Sequence, residues 1–147
     1  MDRKKFMAQL NSDWKAFEES YAGLPDAKMG KPGVAGEWSV RDLIGHVATW
    51  DAEGAKAASL MVKGKRAPKY ADSYNDDQVV AKRSLSLKAL AKDAKDSHRA
   101  VESLVQSVPE RYFVRETAVR RLLRGETYKH YAEHAASIQA WRKRRRV

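Results

Sequence analysis

Four stretches of this chain repeat apolar residues at steps of three and four, the spacing of helices that bury one stripe, and no other feature constrains the fold as strongly. Phe6, Leu10, Trp14, Phe17 and Tyr21 draw the first stripe, which ends near Gly23 and Pro25. After a Gly- and Pro-rich loop over 24–36, Ser39 is placed to cap a second helix with Asp42 at its third position. That helix runs to about Met61 with Leu43, Val47, Trp50, Ala57 and Met61 inward, and at about 100° per residue His46 lies toward the same side. Residues 63–73 are polar, contain Gly64 and Pro68, and form a connection long enough to cross a bundle end.

Asn75 with Gln78 reads as a further capping pair. From it a third helix carries Val80, Leu87, Ala91, Ala94, Val101 and Val105 as far as Pro109, with His98 on the same stripe. In 110–125 the spacing of Val119, Leu122 and Leu123 predicts a short helical turn packed over one end. Glu126 or Thr127 opens the fourth helix, where Tyr131 and Ile138 share an arc with Thr127, His130, His134 and Trp141. The pattern predicts an all-α chain, one domain over 1–147 built as an antiparallel four-helix bundle.

Composition narrows the chemistry. The 147 residues suit a single core, and the absence of cysteine excludes disulfides, thiolate metal sites and thiol catalysis. Any metal must be held by nitrogen or oxygen. No signal-peptide pattern or membrane-length apolar run is present, so a soluble, cytoplasmic protein is expected. Lys and Arg number 29 against 19 Asp and Glu, a net charge of +10 that favours weak, non-specific contact with nucleic acid. Much of the excess lies in Arg120, Arg121 and Arg124 and in the basic tail over 142–147. The tail reads first as a solvated, frayed end that complements a helix dipole, and second as a polyanion contact.

The sharpest chemical signal is His130-Tyr131-Ala132-Glu133-His134, since histidines four apart stack on one helix face about 6 Å apart. His46 can reach a matching depth from another helix. Three histidines leave further positions open, the arrangement of catalytic zinc, nickel or iron sites. The alternative is that they are buried imidazoles satisfied by hydrogen bonds, with Glu133 a surface partner. His98 has no partner four residues away and reads as a core histidine.

The segment from Gly36-Glu37-Trp38-Ser39 through His46 to Trp50 resembles the start of the second helix of DinB-like proteins. Thr127-Tyr128-Lys129-His130-Tyr131-Ala132-Glu133-His134, followed by Ile138 and Trp141, is similar to their last helix. Tyr74-Asn75 resembles the Phe-Asn of the DfsB/ClbS-type branch. The resemblance implies a metal-binding bundle with His46, His130 and His134 as ligands, and a metal-dependent hydrolase or transferase acting on a small molecule. For that branch it implies detoxification or self-protection under stress, and it implies a homodimer.

Within this reading a divalent ion activates water or a thiol. Glu53, seven residues beyond His46 on the same face, is the expected proton-transfer carboxylate, or else a solvated face residue. Trp50, Tyr131 and Trp141 are expected to wall a substrate pocket, or else to be plain core. Two other classes stand beside it: a non-catalytic protein that binds or sequesters a small molecule, and a nucleic-acid-associated stress protein using Arg120, Arg121, Arg124 and the terminal arginines.

Overall fold

The computed structural model describes residues 2–147. Its helices are α1 (Arg3–Ser20), α2 (Asp26–Met29), α3 (Val40–Val62), α4 (Tyr74–Lys82), α5 (Leu87–Ser107), α6 (Arg111–Val114), α7 (Ala118–Glu126) and α8 (Tyr128–Arg145). Short polar side chains start most of the longer ones. Asp2 accepts from the Lys5 amide, Ser86 from Ala89 and Thr117 from Arg120, and each so satisfies an amide that has no partner within its helix. At the head of α3 the expected reciprocal box forms, with the Ser39 hydroxyl accepting from the Asp42 amide and the Asp42 carboxylate accepting from the Ser39 amide.

The architecture is all-α, a bundle of the four long helices α1, α3, α5 and α8. Contacts give their directions. Arg3 meets Val108 while Asn11 meets His98, so α1 and α5 are antiparallel. His46 meets His130 and His134 while Asp51 meets Tyr131 and Gly54 approaches Glu126, so α3 and α8 are antiparallel too. Phe6 lies against Tyr128 and Arg142 against Ser20, so α1 and α8 run the same way. The shared direction of α3 and α5 comes from the connection after α3. It leads into α4, which returns along α3 with Asn75 beside Trp50 and Arg83 beside Asp42. The chain therefore re-enters the bundle as α5 at the end where α3 began.

The predicted third helix is thus two helices. Ser84, Leu85 and Ser86 interrupt it, Ser86 caps the second piece, and the break resets the stripe: Val80 is 58% exposed, and Val79 is buried in its place. Asn75 does not cap. Its side-chain oxygen accepts instead from Trp50 Nε1 at 2.6 Å, and the N-terminal end of α4 has no side-chain cap. The 110–125 arm contains α6 and α7. It seals one end of the core, where the Phe113 ring sits 5.1 Å from Phe6. Thr127 joins α7 to α8, its hydroxyl donating back to the Leu123 carbonyl, and Glu126 ends α7 and does not open α8.

The basic tail is helical as far as Arg145. Arg142 donates from Nη1 to the Ser20 and Ala22 carbonyls, both at 3.0 Å, so its guanidinium covers the end of α1, whose last turn has no basic residue of its own. No helix among the described residues is long and apolar enough to cross a membrane.

Candidate metal centre

His46 sits in the second turn of α3, 7% exposed, on the face turned to α8. The Trp38 ring lies 4.8 Å from it. A tight turn holds that ring in place: Val34 donates to the Trp38 carbonyl, Trp38 donates to the Ala35 carbonyl, and Gly36 takes the φ of +58° that the turn requires. His130 and His134, half-buried, come from the first two turns of α8 one above the other. The His130 Nε2 atom lies 2.9 Å from His46 Nε2 and 2.8 Å from His134 Nε2. One nitrogen from each ring falls within 4.8 Å of the others.

A single two-centre hydrogen bond accounts for only one of the two short contacts, since a ring nitrogen carries in its plane either one proton or one lone pair. Burial also disfavours the charged form of all three rings. Burial, followed by the neighbouring charges of His134 and Lys82, pushes His46 down to about 4. Burial, then His134 and His46, pushes His130 down to about 2, and burial also lowers His134. Three imidazole nitrogens converging on one point, with the charged forms disfavoured, fit a shared cation. Zinc–nitrogen bonds of about 2.0–2.1 Å allow two ligands to lie up to about 4 Å apart, which both short contacts satisfy. The outer Nδ1 atoms of His130 and His134 are buried without a protein partner among the described residues, so packing and not a carboxylate orients these two rings.

The other expected site residues divide. Glu53 lies two turns, about 10 Å, along α3 from His46. It is already engaged, its carboxylate accepting from the Tyr70 hydroxyl and, at 3.1 Å, from Tyr74. Trp50, half-buried, joins Tyr70 and Tyr74 in an edge-on cluster with ring centroids 5.1 and 5.6 Å away. Tyr131 does not wall a pocket. It is fully buried in the core, facing Trp14, with its hydroxyl donating to Asp51. Trp141 does not reach the centre either. It is 2% exposed and floors a separate surface cavity of about 510 Å³ with Lys28, Lys31 and Arg145, two turns past His134. Another cavity of about 440 Å³ lies on the flank of α3 marked by Gly45, Arg41 and Lys82, and none of the three histidines lines it.

Sequence reasoning missed Asp51, Tyr70 and Tyr74. Asp51 was detectable as a charge interrupting Val47, Gly54 and Ala58, a stripe of small residues at helical spacing. Tyr70 lies in an aperiodic connection that gives no signal of where it folds. His98 is a buried core residue as expected, its ring stacked on Trp14 at 4.4 Å and 8°. The arginines of α7 are occupied: Arg120 and Arg124 pair with Glu116 at 3.3 and 2.9 Å, and Arg121 donates to the Glu116 carbonyl.

Residues 9–141 match the family model of the DinB superfamily. Among solved structures, an uncharacterised protein from Escherichia coli UTI89 superposes with a TM-score of 0.82 at 15% identity, over 99% of this chain and 95% of that one. A structure titled sibling lethal factor precursor, DfsB, gives 0.84 at 14% identity over 99% and 98%. A Streptococcus pneumoniae protein gives 0.76 at 13% over 97% and 91%. None of the curated proteins matches the chain.

Proposed function

The chain belongs to the DinB superfamily, and from the geometry of its histidines we propose that it is a metal-dependent hydrolase or transferase of a small molecule. The observation that carries the reading is the convergence of the His46, His130 and His134 ring nitrogens from two helices onto one point. Zinc, nickel or iron suits three imidazoles, and such an ion supplies Lewis acidity that lowers the pKa of water or a thiol and polarises an electrophile. The histidines act as ligands and not as bases. The Trp38 ring shields one side of His46 from solvent. Trp50, one turn beyond His46 on α3, is the one expected wall residue that stays in this reading, its ring edge-on to Tyr70 and Tyr74. Glu53 is the proton-transfer residue of this reading, and the Tyr70 and Tyr74 hydroxyls that donate to it hold its carboxylate in place.

A sequestering protein without turnover is the second reading. The engagement of Glu53 by two tyrosines favours it, because both carboxylate oxygens already accept from hydroxyls of the chain itself. A panel of activated esters and electrophilic small molecules, assayed with metal-loaded and metal-stripped protein, separates the two. The proposal predicts turnover by loaded wild type, its loss in His134→Ala, and a fall of about 100-fold in Glu53→Gln at unchanged metal content. Equal rates with and without metal contradict it, and binding at one equivalent with no product formation establishes the sequestering protein instead.

A further inference from the structure

We infer that Asp51 and Tyr131 form a register lock, a buried hydrogen bond that fixes how far along and how far around α8 sits against α3, so that His130 and His134 meet His46. The consequence for ligand geometry rests on the metal reading above, whereas the lock itself rests on the packing. Tyr131 directly follows His130, and Asp51 lies five residues past His46, so the bond joins the same two helices as the histidines. The Tyr131 hydroxyl donates to Asp51 Oδ2 at 2.7 Å, and both residues are 0% exposed. The same hydroxyl lies 2.9 Å from His98 Nδ1, while His98 Nε2 lies 3.2 Å from Asn11 Oδ1. One phenol oxygen thereby ties α8 to α3 and α5 directly, and to α1 through His98.

Apolar packing alone leaves this register loosely set. The rings of Trp14 and Phe17 around Tyr131 attract without direction, whereas a hydrogen bond in a dry core weakens steeply once misaligned. Each residue of slip moves a helix about 1.5 Å and turns it about 100°, and ligand distances in a metal site tolerate only about 0.2 Å. Burying Asp51 works against whatever stability the bond supplies. Burial holds the Asp51 carboxyl well above the usual range, and its Oδ1 has no partner among the described residues. Replacing such a group by an apolar one is commonly neutral or stabilising, so its presence points to arrangement and not to stability.

The double variant Asp51→Leu/Tyr131→Phe removes both members of the bond together; His98 Nδ1 loses its hydroxyl partner, so the variant is expected to keep wild-type helicity at lower stability. Asp51→Asn retains a partner for the hydroxyl and serves as the rescue. Two readouts are taken: Co²⁺ titration followed by its visible absorption, and the nuclear Overhauser contact between the Hε1 protons of His46 and His130, whose rings lie 4.7 Å apart. The lock predicts that the double variant binds Co²⁺ about 10–100-fold more weakly and loses the proton contact, while Asp51→Asn keeps both. Wild-type affinity and an intact contact in the double variant overturn it. If the double variant fails to fold, Tyr131→Phe is read by the same criteria. If wild type takes up no Co²⁺, the metal reading falls, and the proton contact alone decides whether the lock exists.

Discussion

His46 and His98 are both buried imidazoles on inward stripes, and what separates them is the geometry of their nitrogens. Those of His98 face Tyr131, Asn11 and Glu102, with hydrogen-bond partners at 2.9 and 3.2 Å and the carboxylate at 3.3 Å. Nε2 of His46 faces another imidazole nitrogen. Burial pushes His98 down to about 4, so the unfolded chain binds a proton near pH 6.5 that the folded chain refuses. Its contribution is therefore fully present above pH 6.5 and is lost as pH falls from there toward 4. Denaturant unfolding should show wild type losing about 2 kcal/mol more than His98→Gln between pH 7.5 and pH 5. Equal losses would mean that His98 titrates normally in the fold. At this scale the histidines were legible because spacing and helical phase give direction. Tyr131 takes the core role that was the alternative to a pocket wall, a choice the spacing left open because an arc of about 100° cannot separate a residue that faces a site from one that enters the core beside it.

Among the elements, helix starts set by local capping were legible, and boundaries set by distant contacts were not. Ser39 and Asp42 announce the start of α3 because capping chemistry is local to four residues. The break between α4 and α5 is set from outside the segment. Lys82 donates to the Gly45 carbonyl and to Asp93, and Arg83 pairs with Asp42, so tertiary contacts fix where one helix stops and the next begins. The end of α1 is likewise finished by a residue 122 positions away, Arg142. Arg142→Ala should lower stability by about 1–2 kcal/mol in chemical denaturation, whereas Lys143→Ala, which is exposed, should change it by less than about 0.5 kcal/mol. Equal effects of the two substitutions would mean that Arg142 acts only as part of a diffuse basic end.

The whole molecule brings its three clustered histidines together from two antiparallel helices that are far apart in sequence. Residue 46 and residues 130 and 134 meet because α1 and α8 run together and α3 opposes them. Helical periodicity carries no sense of direction, so the shared direction of α3 and α5 could not be read from the stripes. The long connection after α3 signalled only that a crossover occurs. The DinB superfamily match and the superposition on DfsB establish the fold, and the chemistry of the centre rests on the three histidines of this chain. The most direct measurement is metal content by elemental analysis of protein purified without chelator, for wild type, His130→Ala and the control His98→Gln. The account predicts close to one equivalent of zinc, nickel or iron in wild type and in His98→Gln, and almost none in His130→Ala. Metal-free wild type that stays folded and takes up none of these ions, or His130→Ala that retains a full equivalent, would contradict it.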